Sequence, residues 1–286
     1  MSKASRQTSD IAQTAETPST LSTAEPNTLS TAEKRERLTE VMLADDPTGP
    51  LWEFVNNGWA EQIVPELPAL VLEQDPIHRH KDVLAHTIAV VAKTRPHLTL
   101  RLGALFHDIG KPATRSYASG EVTFHQHEAV GAKMTKRRLR ELGYQPQLVR
   151  DVAELVRLSG RFKGYANGWS DTAVRRYARD AGHLFGLLNE LVRCDCTTQN
   201  ARFVVKLRQL VDQLEERVQE LAQADRLAAE RPLINGDEVM ERLGLSPGPE
   251  VGAALRFLLE LKRAEPNLTK EETERRLDKW WAERGN

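Results

Sequence analysis

The sequence is short of several things, and each shortage closes off a class of protein. Only two cysteines are present, Cys194 and Cys196, one residue apart, so a disulfide framework is ruled out. That usage fits a reducing compartment, and the expected location is cytoplasmic. No apolar run approaches the roughly 20 residues of a membrane-spanning helix. The N-terminus has no apolar stretch of the kind a signal peptide needs, and Asp10 and Glu16 within it disfavour a transit peptide. The formal net charge is −1, so nothing global directs the chain to nucleic acid or an acidic membrane surface; any basic surface must be local. No segment alternates with period two over a strand's length. No signature of an oligomeric state is present either.

What is present is a long helical pattern. With 286 residues, 40% hydrophobic and 28% charged, a core can form without staples. Residues 1–33 are rich in Ser, Thr, Ala and Gln and contain TLSTAE twice, at Thr20–Glu25 and Thr28–Glu33. Ile11, Leu21 and Leu29 are their only large aliphatics, so this segment is expected to be a disordered tail. From Lys34, apolar residues recur at helical spacing (Leu38, Val41, Met42, then Leu51, Phe54, Val55, Trp59), and 34–77 reads as a helical neck-like segment. Asp82 is placed to N-cap a helix carrying His86, which Pro96 ends. The next helix spans Leu98 to Ile109, with Gly110 as its C-terminal stop. Further helices are expected over Glu128–Leu142, Leu148–Leu158, Asp171–Ala181, from about Leu184 through Asp195, and over Phe203–Ala229. Short ones follow at Glu238–Leu243, Glu250–Arg263 and Lys270–Glu283. The expected fold is all-α, with a helical body at 78–202 and a helical tail domain at 203–286.

One constellation carries chemistry. LFHDIGKP places His107 beside Asp108 at the end of an apolar run; His86 lies upstream between Val83 and Val90, and Asp195 sits far downstream in LVRCDCTTQN. Two ionisable residues ending such a run are costly to bury unpaired, and a shared cation removes that cost. Neighbouring helix positions point about 100° apart, so both reach one ion only from the end of a helix. Nitrogen plus carboxylate oxygen, with no well-placed thiolate, suits Mg²⁺, Mn²⁺, Fe²⁺, Co²⁺ or Ni²⁺ more than a structural zinc. Such an ion lowers the pKa of water and polarises a phosphoryl oxygen. If the four side chains converge, the chain is a metal-dependent phosphohydrolase; if not, it is an all-helical binding module. Lys111 is placed to neutralise a substrate phosphate, or else to complement a helix C-terminus. His127 could join a second metal or contact substrate, whereas His125 reads as a loop residue in water. His80, in the HxH of PIHRHKDV, could line the mouth of the site. The two cysteines read as small packing residues flanking Asp195. His97 and His183 have no supporting neighbours. Cations cluster at Lys133, Lys136, Arg137, Arg138 and Arg140, and again at Arg175, Arg176 and Arg179. Arg161 and Lys163 adjoin Phe162 and Tyr165. These groups suit salt-dependent RNA contact with base stacking, against the alternative of solvated helix faces.

The combination of His86, the His107–Asp108 pair and Asp195 resembles the HD superfamily of metal-dependent phosphohydrolases. HRHKDVLAHT, LGALFHDIGKPATR, TFHQHEAVGAK, SDTAVRRYARDAG, CDCTTQNARF, PGPEVGAAL and DKWWAERGN, in that order, are similar to the actinobacterial-type CCA tRNA nucleotidyltransferases from about Lys34 to Asn286. The resemblance implies an HD helical bundle and, on the matching positions, metal ligands His86, His107, Asp108 and Asp195. On the phosphohydrolase reading, the catalytic candidates are Asp108, Lys111 and His127, and the candidate substrate contacts are His80, Lys111, Arg161, Arg175 and Arg176. Relatives carry a further histidine in the segment matching LVRLSGRFKGY, where this chain has Ser159, and often another where Lys163 stands; a one-metal site would keep the core four. Some HD bodies in this family act on 2′,3′-cyclic phosphates and phosphomonoesters, so the implied substrate is a phosphate ester of a nucleotide or RNA end. The family's nucleotidyltransferase head carries paired aspartates. Residues 1–33 hold no Gly-rich strand–turn motif and no Asp-x-Asp, so neck, body and tail are expected without CCA addition by this chain alone. The competing reading is a non-catalytic tRNA-binding remnant, or a partner of a separate head, holding tRNA through the helices after Phe203.

Overall fold

The computed structural model of the protein describes residues 29–72, 82–118, 121–198 and 200–284. The helices in chain order are α1 (Thr31–Leu43), α2 (Thr48–Asn56), α3 (Trp59–Ile63), α4 (Val83–Lys93), α5 (Leu98–Phe106), α6 (Lys111–Thr114), α7 (His127–Glu141) and α8 (Pro146–Leu158). They continue as α9 (Asp171–Ala181), α10 (Phe185–Asp195), α11 (Ala201–Ala229), α12 (Gly236–Leu243), α13 (Pro249–Ala264) and α14 (Lys270–Arg284). Strands β1 (Ser116–Ala118) and β2 (Glu121–Thr123) form one antiparallel hairpin with Tyr117 opposite Val122. The fold is all-α. The hairpin escapes the sequence pattern because three-residue strands are too short to show an alternation. His78 and His80 lie outside the described residues, as does the first TLSTAE copy.

The chain divides into two compact units, 1–163 with 183–201, and 164–182 with 202–286. In the first, α1 starts inside the second TLSTAE copy, three residues before Lys34. The reason is local: Ser30 Oγ accepts from the Glu33 amide at 3.3 Å and Glu33 Oε2 accepts from the Ser30 amide at 2.8 Å, a reciprocal capping box. Asp82 caps α4 as expected, accepting from the Ala85 amide at 2.6 Å. Helix α5 is buried from Leu100 to Phe106. Its Arg101, 1% exposed, donates to the carbonyls of Met42 (2.7 Å), Ala44 (2.5 Å) and Thr94 (3.2 Å). One guanidinium thus satisfies the carbonyl ends of α1 and α4, which have no partners within their own helices. Burial pulls the Arg101 pKa down, while Asp45 and Asp46 support its charge.

The end of α5 differs from the expected glycine stop. The helix closes at Phe106, residues 107–110 form a turn, and Gly110 has φ −82°, open to any residue. Glycine is needed there for space: a Cβ would stand 2.2 Å from the His127 carbonyl oxygen and 2.7 Å from the Gly131 amide nitrogen. Helix α7 buries His127, Gly131, Thr135 and Leu139, a stripe at every fourth position, and its first turn rests on the 107–110 turn through that glycine. Gln126, just before it, is the only non-glycine residue at positive φ (61°) among those described, and this bend lets α7 begin at His127.

In the second unit, α9 buries Val174, Tyr177 and Ala181, and Trp169 packs 5.3 Å from both Tyr165 and Tyr177. Arg175 pairs with both carboxylate oxygens of Asp225 at 2.8 Å, and Arg217 with Asp171 at 2.6 Å, tying α9 to α11. Ile234, Val239, Val251, Ala254, Leu258 and Leu277 form the core of α12–α14, with Phe257 stacked on Trp280 at 4.7 Å. Among the described residues, no helix is long and apolar enough to cross a membrane.

Candidate metal centre

Three segments of the first unit meet at one point. Helix α4 brings His86, the turn after α5 brings His107 and Asp108, and the end of α10 brings Asp195. His86 Nε2 lies 3.0 Å from Asp195 Oδ1, 3.3 Å from His107 Nε2 and 3.7 Å from Asp108 Oδ2. His107 Nε2 is 3.2 Å from Asp108 Oδ2 and 3.4 Å from Asp195 Oδ1. His86, His107 and Asp108 are buried, while the Asp195 side chain is one-third exposed. His86, His107 and Asp108 offer donor atoms within 4.8 Å of one another, a grouping that could hold a metal ion.

The donor chemistry fits such an ion. His107 Nδ1 is 2.7 Å from the Ala104 carbonyl, which only accepts, so Nδ1 carries the proton. The Nε2 lone pair then faces two carboxylate oxygens and another ring nitrogen, and a cation or a proton must sit among them. Ligands about 2.1 Å from one ion stand about 3.0–3.4 Å from each other in octahedral or tetrahedral arrangements, close to the spacings found here. Without an ion, the proton takes its place. Burial opposes charge on His107, but Asp108 and Asp195 outweigh it and push the imidazole pKa up to about 10. Burial likewise raises Asp108 and Asp195, yet His107 with Lys111, and His107 with His86, hold the two carboxyls below the usual range.

Lys111 and His127 complete the cluster. Lys111 is buried, with Nζ 2.6 Å from Asp108 Oδ2 and 5.6 Å from the centroid of the Phe124 ring. His127 Nδ1 donates to the Phe124 carbonyl at 2.8 Å, which turns Nε2 toward Asp108 Oδ1 at 3.5 Å. Ser159 hydrogen-bonds back to the Val156 carbonyl at 2.9 Å. Glu128 fills the space at Gly160, where a Cβ would come 2.0 Å from Oε1. His125 is exposed. His97 caps α5, accepting from the Leu100 amide at 3.4 Å, and His183 pairs with Asp151 at 2.9 Å. Arg161, a residue of the first unit, opens the 3₁₀ turn Arg161–Asn167; Arg175 and Arg176 belong to the second unit.

Sequence reasoning gave Thr197 no role, yet its Oγ1 lies 3.0 Å from His86 Nδ1. Cys196 is extended (φ −78°, ψ 97°), so 195 and 197 face His86 while 194 and 196 face Lys93. Cys194 Sγ donates to the Lys93 carbonyl at 3.4 Å, and Lys93 Nζ donates to the Cys196 carbonyl at 2.5 Å. The sequence carries no signal for this role, because the two-residue spacing from Asp195 has meaning only once the helix is known to end there.

A helical body that gathers a histidine, a His–Asp pair and a distant aspartate is the arrangement of an HD domain. The pattern defining that family, the HD domain, matches residues 83–230, and the chain belongs to it. Among curated relatives, it is 32% identical over 257 residues to the CC-adding tRNA nucleotidyltransferase of Thermus thermophilus, covering 86% of this chain and 56% of the relative. It is 30% identical over 259 residues to the A-adding tRNA nucleotidyltransferase of Deinococcus radiodurans, covering 86% and 57%. The chain therefore spans little more than half the length of these relatives.

Proposed function

We propose that this chain is a metal-dependent phosphohydrolase acting on a phosphate ester of a nucleotide or RNA end. The observation that carries the reading is the His107 Nε2 lone pair, fixed by the Ala104 carbonyl and aimed at two carboxylates and His86. His86, His107, Asp108 and Asp195 hold a divalent ion, with Mn²⁺, Mg²⁺, Ni²⁺, Co²⁺ and Fe²⁺ all suited to the donor set. When bound, such an ion polarises a phosphoryl oxygen and makes water a better nucleophile at neutral pH. Lys111 keeps Asp108 ionised at 2.6 Å and places a cation beside the centre for a substrate phosphate. His127 holds or moves a proton at Nε2 beside Asp108 Oδ1. Arg161, in the same unit as the cluster, is the candidate for a further phosphate contact, whereas Arg175 is engaged by Asp225 within the second unit. The test is a panel of 2′,3′-cyclic nucleotides, phosphomonoesters and phosphodiesters with each ion. Turnover is expected with at least one combination and should vanish in Asp108→Ala with the helical fold retained. No turnover with any ion on any substrate ends the proposal.

A second reading has one supporting feature. Lys133, Lys136 and Arg140 stand exposed along one face of α7, and the relatives are named for action on tRNA. A non-catalytic tRNA binder, or partner of a separate nucleotidyltransferase, would give a tRNA complex that weakens steeply with salt. That complex would be indifferent to Asp108→Ala. No shift of tRNA even at low salt removes this reading.

A further inference from the structure

We infer that Thr197 is a positioning residue of the metal centre: its hydroxyl orients His86 and accepts a hydrogen bond from the ring's Nδ1–H when Nε2 binds an ion. This rests on the proposed metal-dependent function. The three histidines of the cluster are held at Nδ1 in two different ways. His107 and His127 face the carbonyls of Ala104 and Phe124, at 2.7 and 2.8 Å, and a carbonyl only accepts, so both rings are fixed as Nδ1–H. His86 alone faces a hydroxyl, Thr197 Oγ1, at 3.0 Å. A hydroxyl both donates and accepts, so it can serve either tautomer. Without an ion, Nε2–H donates to Asp195 Oδ1 at 3.0 Å and Thr197 donates to Nδ1. With an ion held at Nε2, the ring would carry its proton on Nδ1 and donate it to Thr197 Oγ1.

The placement of Thr197 is built rather than incidental. The extended backbone at Cys196 sets 195 and 197 on the same side, so ligand and positioning group come from one short segment. Lys93 pins that segment to α4 from the other side, through Cys194 and Cys196. The hydroxyl therefore meets His86 with little freedom to retreat. Groups that orient a metal-binding histidine through its far nitrogen typically change metal affinity by about 10–100-fold when removed.

The experiment is calorimetric titration of Mn²⁺ into the wild type, Thr197→Val, Thr197→Ser and Asp108→Ala. Valine keeps the shape and loses the hydroxyl; serine keeps the hydroxyl. Mn²⁺ affinity should fall about 10–100-fold in Thr197→Val, stay within about threefold of wild type in Thr197→Ser, and be lost in Asp108→Ala. Metal-free Thr197→Ser should melt with the wild type, and Thr197→Val, short of one hydrogen bond to a buried ring, should melt somewhat lower while staying folded at the titration temperature. Should Thr197→Val fail to fold, Thr197→Ala read against Thr197→Ser carries the same comparison. Wild-type affinity in the valine variant, or a serine variant as weak as valine, overturns the role of Thr197 and leaves the proposed function standing. A wild type that takes up none of Mn²⁺, Mg²⁺, Ni²⁺, Co²⁺ and Fe²⁺ overturns both.

Discussion

Replacing Gly110 by alanine should push α7 away from the turn that carries His107 and Asp108. The added Cβ would meet the His127 carbonyl oxygen at 2.2 Å and the Gly131 amide nitrogen at 2.7 Å, both backbone atoms with no rotamer to change. Reaching the 3.4 Å of ordinary contact requires about 1.2 Å of separation between the two elements. Overpacking of this kind costs about 1–3 kcal/mol. His127 begins α7, so it recedes with the helix from its 3.5 Å approach to Asp108. Two other glycines serve as controls. At Gly131 the nearest atoms lie at 3.3–3.4 Å, two of them on the side chains of Val156 and Ile109, and the gain of about 1 kcal/mol in helix propensity offsets the crowding. At Gly160 the 2.0 Å contact is with the end of the Glu128 side chain, which can rotate away. Urea unfolding of the metal-free proteins should rank Gly110→Ala as clearly the most destabilised, with Gly131→Ala and Gly160→Ala near wild type. Equal midpoints for Gly110→Ala and Gly160→Ala would refute the packing account.

Other expectations concern charge. The folded-state pKa of His107 is raised, so its stabilisation is fully present below about 6.5 and is lost as pH climbs through about 10. Metal-free protein should accordingly unfold more easily at pH 9.5 than at pH 6.5. An ion displaces that proton, so divalent-metal affinity should rise up to about tenfold per pH unit and level off near pH 10. Calorimetry at pH 7.5 in buffers of different ionisation enthalpy should count about one proton released per ion; a count of zero contradicts this. Arg101→Met leaves the carbonyls of Met42, Ala44 and Thr94 without their donor and should lower stability by about 2–4 kcal/mol in urea unfolding, with metal uptake preserved at low denaturant.

Much of the fold was readable because its signals are local. The periodicity that marked α4, α7, α8, α9 and α11 is a property of neighbouring residues, and Asp82 announced the start of α4 by its own side chain. The meeting of His86, His107, Asp108 and Asp195 was approachable because buried ionisable residues at helix ends demand a partner. What escaped were roles set by contact across the chain. Gly110 looked like a backbone stop, yet it is a spacing requirement imposed by His127, 17 positions on. Lys111 is placed by its sequence either near a substrate phosphate or at a helix C-terminus, and neither placement foretells its 2.6 Å contact with Asp108. Ser30 and Glu33 sat in a polar repeat whose composition suggested a tail, but their spacing closes a capping box. Thr197 was invisible because nothing before residue 195 says that the helix ends there and the next stretch is extended.

The cluster draws on positions 86, 107 and 108, then waits for 195 and 197, with 164–182 contributed to the other unit in between. A nascent chain that has delivered α4 through α8 owns both imidazoles and one carboxylate, but not the returning segment that completes the cage. Ion retention during synthesis or refolding would thus act as a stopwatch, starting only once α10 has come home.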